Sequence, residues 1–228
     1  MDNVDTIGNP NQRTLCVLVL DASGSMDTRT GSGKTRIEEL NDGINLLHKE
    51  LIEDPVASDR VVLSIVTVGG VNSGANVLMD WTDVKEFMPF KIASGGTTPL
   101  GEGVIKALEL VENGKKRLKS DGIGYLRPWI MIITDGEPTD SESTWQQAMR
   151  ETKEAESKNK CLIFPIAVDG GNISKLSELS NSPVKQMSAV KFGDLFQWLS
   201  ASLSAASSSA PGATVQLPST DPWAGVKL

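Results

Sequence analysis

An unbroken apolar run, Leu15–Leu20, stops at Asp21-Ala22-Ser23-Gly24-Ser25. A run this short, rich in Val and Leu and closed by glycine and polar residues, reads as a buried strand and not as a helix. Strands of that kind lie in parallel sheets covered by helices on both faces. Just past its carboxyl end the chain sets a carboxylate and two hydroxyls at alternating positions, Asp21, Ser23 and Ser25. In open α/β sheets that edge is where ligands bind. The three are candidate metal ligands; the competing reading is an Asx-type turn that caps a helix.

The remainder alternates strand and helix patterns. A helix is expected from about Thr35, with Ile37, Leu40, Ile44, Leu47 and Leu51 on one stripe. Arg60–Val68 reads as a second strand and Asn76–Trp81 as a third. The glycine-rich turn between them is too short for a crossover helix, so strand three should run antiparallel at an edge. In Thr82–Phe90, Asp83 could cap one or two helical turns before Pro89. In Ser94-Gly95-Gly96-Thr97-Thr98-Pro99, Pro99 suits a first helical position with Thr98 at the cap. Arg127–Thr134 is a further strand, ended by Asp135-Gly136-Glu137-Pro138. Ser143–Asn159 (helix), Cys161–Val168 (strand), Ile173–Leu179 (helix), Val184–Met187 (strand) and Phe192–Leu203 (helix) follow. The pattern predicts a doubly wound α/β fold, a mostly parallel sheet with one antiparallel edge strand. The division expected is a polar lead-in at 1–13, one domain at 14–206 and a Ser/Pro-rich tail at 207–228. The tail reads as disordered unless Val215, Leu217 and Trp223 tack it onto the domain.

Composition narrows the function classes. A net charge of −7 and 5% aromatic residues argue against a nucleic-acid surface, which needs basic and stacking groups. No apolar run approaches the ~18 residues of a membrane span. The first residues lack the basic and apolar regions of a signal peptide. A cytoplasmic location is therefore expected. Cys16 and Cys161, each inside an apolar run, read as reduced core thiols, and the lone His48 as a solvated flank of its helix. Trp81, Trp129 and Trp145 read as packing residues; Trp198, off its helix stripe, is a candidate exposed contact.

If strands three, two and one build outward on one side, the Arg127–Thr134 strand lies on the other flank of strand one. Asp21 and Asp135 then meet at the topological switch point. Asp21, Ser23, Ser25, Thr98 (or Thr97) and Asp135 would form a hard, all-oxygen site suited to Mg²⁺, Mn²⁺ or Ca²⁺.

In order and spacing, DASGSM, GGTTPLG and ITDGEP resemble the von Willebrand factor A (vWA) domain and its metal-ion-dependent adhesion site. The resemblance covers roughly Arg13–Leu203. It implies that Asp21, Ser23, Ser25 and Thr98 (Thr97 with a shift of one) bind a divalent cation, magnesium foremost, with Asp135 a direct or water-mediated ligand. It also implies binding rather than catalysis, an acidic residue of a protein partner completing the coordination. KFGDLFQWLSASLSAASSSAPG and the tail are similar to the bacterial tellurite-resistance-associated, TerY-like group. That likeness implies a cytoplasmic stress-response adaptor beside a protein kinase and a phosphatase, with neither nucleic acid nor membrane as partner. Some relatives carry a zinc-binding segment, for which this chain lacks the cysteines.

Two enzyme-like readings compete less well. Gly31-Ser32-Gly33-Lys34-Thr35 ends like a phosphate loop, but its first glycine would fall on Thr28 and it does not follow its strand directly. A Mg²⁺-dependent phosphoesterase could use Asp21 as nucleophile, yet position 23 is Ser and no general acid stands out. A metal-free scaffold working through its tail is the remaining alternative.

Overall fold

The computed structural model describes residues 11–210 and 213–220. The lead-in up to Pro10, and Trp223 with the end of the tail, lie outside the described residues. Strands β1 (Thr14–Ala22), β2 (Val61–Gly69), β3 (Ala75–Asp83), β4 (Trp129–Thr134), β5 (Leu162–Val168) and β6 (Lys185–Met187) form one sheet in the order β3-β2-β1-β4-β5-β6. β1 is parallel to β2 on one side and to β4 on the other; only β3 runs antiparallel, at an edge. This is the doubly wound architecture that the alternating pattern predicts.

Every residue of β1 is buried, as its apolar run requires. Its side chains alternate between two cores, as the pleat dictates. Cys16, Leu18 and Leu20 face α1 (Arg36–Glu53) and α6 (Phe192–Ser207), meeting Leu40, Ile44, Leu47, Phe196 and Leu199. Leu15, Val17 and Val19 face α3 (Leu100–Ser120) and α4 (Glu142–Ser157), meeting Val104, Val111, Trp145 and Ala148. The crossover helices of β1 and β4 thus diverge to opposite faces and open a crevice above Asp21 and Asp135. Cys16 and Cys161 are buried free thiols, and burial pushes both well above the ordinary thiol range, Cys161 to about 11.

α1 begins where the sequence asks it to. Thr35 accepts from the Glu38 amide while the Glu38 carboxylate accepts from the Thr35 amide, a closed capping box. Lys34 pairs with Asp42 at 2.6 Å, so the phosphate-loop-like stretch is a helix start. The six-residue α2 (Pro55–Arg60) adds a turn that periodicity misses; Asp54 caps it and Pro55 opens it. α5 (Ile173–Glu178) is equally short.

Two side-chain expectations are corrected. His48 is not solvated: it is half-buried edge-on to Phe87 at 5.0 Å, its Nε2 buried without a hydrogen bond, and burial lowers its pKa. Trp198 is only 8% exposed, and its indole N–H donates to the Pro218 carbonyl at 2.8 Å. Within the tail, Leu217 packs on the α1/α6 core, so the described part of the tail covers Trp198. α6 also runs past Leu203 to Ser207, whose hydroxyl meets Thr14 at 2.9 Å and whose carbonyl accepts from Arg60 at 2.6 Å.

Gly103 seats the first turn of α3 directly on the sheet. A Cβ there would clash with Val68 of β2 and lie 3.3 Å from Val19 of β1. The helix-propensity gain of Gly103→Ala is about 1 kcal/mol, against an overpacking cost of about 1–3 kcal/mol. Gly103→Ala is therefore expected to lower the urea midpoint, or at best leave it unchanged; a raised midpoint would contradict this packing.

Candidate metal centre

Three loops at the carboxyl edge of the sheet are stitched together by backbone hydrogen bonds. The Ala22 carbonyl, at the end of β1, accepts from Gly70 N at 2.9 Å and Gly95 N at 2.8 Å. Gly24 N donates to the Gly96 carbonyl at 3.1 Å. The Gly95-Gly96 turn is thereby pulled against the Asp21 loop, with both glycines at positive φ (156° and 68°) that disfavour other residues. From the other side Thr98 N donates to Thr139 Oγ1 at 3.1 Å and Thr139 N to the Thr98 carbonyl at 2.9 Å.

Thr98 is not the cap of α3. The helix begins at Leu100 with Pro99 in the cap position and no side-chain cap from within its own segment. The cap comes from the third loop: Asp140 accepts from Gly101 N at 2.8 Å and Glu102 N at 2.9 Å. A carboxylate placed there also meets the positive end of the helix dipole. The Thr98 hydroxyl is thereby left for other work. Thr98 is buried and Thr97 exposed.

The five candidate ligands form one cluster. Asp21 Oδ1 accepts from Ser23 N at 2.8 Å, and Oδ2 accepts from the Thr134 hydroxyl. The Ser23 and Ser25 hydroxyls are 3.0 Å apart, and Ser25 Oγ donates to Asp135 Oδ1 at 2.6 Å. A carboxylate oxygen accepts, so the Ser25 proton points at Asp135, the Ser23 hydroxyl donates to Ser25 Oγ, and one lone pair of Ser25 remains available. Gly136 leaves an open cradle among these groups. A Cβ there would lie 3.0 Å from Thr98 Oγ1 and 3.4 Å from Asp21 Oδ2. Asp21 and Ser23 are buried, while Ser25 stays exposed at the mouth.

The electrostatics are those of a carboxylate short of counter-charge. Burial pushes the Asp21 carboxyl above its ordinary range, nearby Asp135 adds to this, and the hydrogen bonds from Ser23 and Thr134 oppose it. Asp135 is compensated instead: its side chain is fully buried and its Oδ2 is paired with Arg36 Nη1. Arg36 Nε reaches Asp169 Oδ2 at 2.8 Å, and although burial works against its charge, the two carboxylates hold its pKa above the usual value.

The donor set fits a hard divalent cation. It offers hydroxyls and two carboxylates with no thiol or imidazole; its hydroxyls make up the set, since among the described residues three or more His, Cys, Asp or Glu nowhere gather into a metal-binding group. Sequence reading missed Thr134, Arg36 and Asp169. Thr134 closes β4 one residue before Asp135, which was a usable signal; Arg36 and Asp169 meet only in the fold. Glu137 accepts from Asn172 Nδ2 at 2.6 Å on the rim.

The fold and the position of this cluster define a class of protein, and comparison with known proteins agrees. The von Willebrand factor type A domain profile matches residues 16–138, and the chain belongs to that family. Among solved structures, the chain is similar to proximal thread matrix protein 1 from the mussel byssus (14% identity, TM-score 0.56, 86% of this chain and 49% of that one). It is also similar to the pilus adhesin SpaC from Lactobacillus rhamnosus GG (14%, 0.61, 86% and 32%). A third likeness is to the vWF domain of the type V pili tip protein Mfa5 from Porphyromonas gingivalis (11%, 0.54, 83% and 94%). At these identities the likeness is one of fold, and the chain spans less than half of the first two proteins. No curated protein matches the chain.

Asp140 gives this description a direct check. Asp140→Ala should cost about 0.5–2 kcal/mol, as loss of a helix cap does, and speed hydrogen exchange at the Gly101 and Glu102 amides. Unchanged exchange there would place the cap elsewhere.

Proposed function

We propose that the chain is a metal-dependent protein-interaction module: Asp21, Ser23, Ser25 and Thr98 hold a divalent cation, Asp135 assists directly or through water, and an acidic side chain of a partner completes the coordination. One observation carries the reading. Ser25 directs its proton to buried Asp135 and stands exposed at the mouth, one lone pair available beside an undercompensated Asp21. A bound divalent cation would supply a Lewis-acidic docking point for a carboxylate. The protein's own part is to hold the hydroxyls in place, offset part of the cost of a charged Asp21 with hydrogen bonds from Ser23 and Thr134, and leave Ser25 open to an incoming group.

The hydroxyl-rich donor set favours magnesium, with manganese or calcium as substitutes. The likeness of the last helix and tail to the tellurite-resistance-associated, TerY-like group supports a finer setting: a cytoplasmic stress-response adaptor working with a protein kinase and a phosphatase. Two buried unpaired thiols suit such a reducing compartment. Among the described residues no helix is long and apolar enough to cross a membrane. Recognition is favoured over hydrolysis because no general acid or base stands out in the cluster, and the chain's one histidine, His48, packs against Phe87. A scaffold acting through a free tail is disfavoured because Leu217 and Pro218 are engaged by the domain itself.

Ligand linkage provides the test. Magnesium at 100 times its dissociation constant should stabilise the wild type by about 2.7 kcal/mol, seen as a rise in melting temperature that EDTA reverses. Asp21→Ala should fold and show no such rise. An equal response of Asp21→Ala to magnesium would overturn the cation site, and magnesium-dependent turnover of a generic phosphoester would favour the hydrolase instead.

A further inference from the structure

The guanidinium of Arg36 lies beside the site, and the proposed cation docking does not use it. It opens α1, yet its side chain turns away from that helix to bridge two other loops. Nη1 pairs with Asp135 Oδ2 and lies 3.4 Å from the Ser25 carbonyl, and Nε pairs with Asp169 Oδ2 at 2.8 Å. Asp169 is itself fixed, its other oxygen accepting from Ala189 N at 3.0 Å. The side chain of Arg36 is 17% exposed, so this cation is largely shielded from solvent screening.

We infer that Arg36 is a specificity-determining residue, a resident positive charge that sets how much negative charge the site offers a cation and what net charge the loaded site offers a ligand. The inference rests on the cation-docking reading. With both oxygens of Asp135 taken, by Ser25 and by Arg36, Asp21 is the carboxylate left without a counter-ion. Counting Asp21, Asp135, Asp169 and Arg36, the protein presents two net negative charges. A divalent cation then leaves a neutral centre that does not repel a carboxylate. Without Arg36 the same count gives three negative charges and a loaded centre that is still negative. Arg36 thus weakens the hold on the cation and strengthens the hold on the anionic ligand. Asp169 moderates it by sharing the guanidinium.

Charge tuning and a purely structural role differ in sign. A residue that merely orients Asp135 would weaken both cation and ligand binding when removed, by the roughly 10–100-fold usual for groups that position a ligand. Charge tuning moves the two in opposite directions. The experiment is calorimetric titration of the full chain with Mg²⁺ alone, followed by paramagnetic broadening of the acetate methyl resonance by the Mn²⁺-loaded protein. Arg36→Met should bind Mg²⁺ more tightly, by about tenfold, the low end of what a charge within a few ångströms does to an ionic equilibrium, and broaden acetate less than wild type does. Arg36→Lys, which keeps the charge, should stay near wild type in both. Asp169→Asn, which leaves the Arg36–Asp135 pair in place, should bind Mg²⁺ more weakly; it carries the test if Arg36→Met fails to fold. Weaker or unchanged Mg²⁺ binding by folded Arg36→Met, or unchanged binding by Asp169→Asn, would overturn the inference while leaving the docking site standing. Wild type showing no Mg²⁺ binding beyond that of Asp21→Ala would overturn the docking reading and this inference with it.

Discussion

A carboxylate buried at the carboxyl end of the central strand is the constraint on which the rest of the structure depends. Asp21 is 1% exposed, and an ionised group so placed is costly unless its neighbours compensate it. The compensation shapes the loops around it. Ser23 N serves one oxygen and the Thr134 hydroxyl the other, which ties the end of β4 to the end of β1. The first loop must turn back on itself to offer Ser23 N, and in doing so it lines up the Ser23 and Ser25 hydroxyls.

Neutral donors reduce that cost without cancelling the charge, which is what the proposed cation would offset. The sheet is what lets this persist. β1 is clamped between β2 and β4 over most of its length, with a core on each face, and the crevice opens only where the crossover helices part. The third loop does two tasks with two aspartates: Asp135 takes the Ser25 proton, while Asp140 caps α3 and frees Thr98 to face the cradle. Beside them the Arg36–Asp135–Asp169 bridge joins the start of α1 to the ends of β4 and β5. Charge is thus distributed unevenly at one edge, paired on the Asp135 side and open on the Asp21 side.

Much of this was legible before any coordinates. The run into Asp21, the stripe of α1 and the short turn before β3 are local patterns, and they were enough for the order of the first four strands, β3-β2-β1-β4. What escaped depends on residues far apart in the chain. Thr98 looked like a helix cap because its rival, Asp140, arrives from another loop. Arg36 went unread because its partners lie after two other strands. His48 and Trp198 were misplaced for the same reason: burial by Phe87 and by Pro218 is decided by chain segments that leave no mark on the helix stripe itself. The helix over Pro55–Arg60 was missed because one and a half turns are too few to show a period, although Asp54-Pro55 is a fair start signal.

The most direct test of the central claim is a crystal structure of the full chain grown with Mn²⁺, with the metal located by its anomalous scattering. The account predicts one strong peak bounded by Ser23 Oγ, Ser25 Oγ and Thr98 Oγ1, next to Asp21 and Asp135, with Arg36 still paired to Asp135. A peak at another cluster, or none at this edge while Ser25 still donates to Asp135, would contradict it.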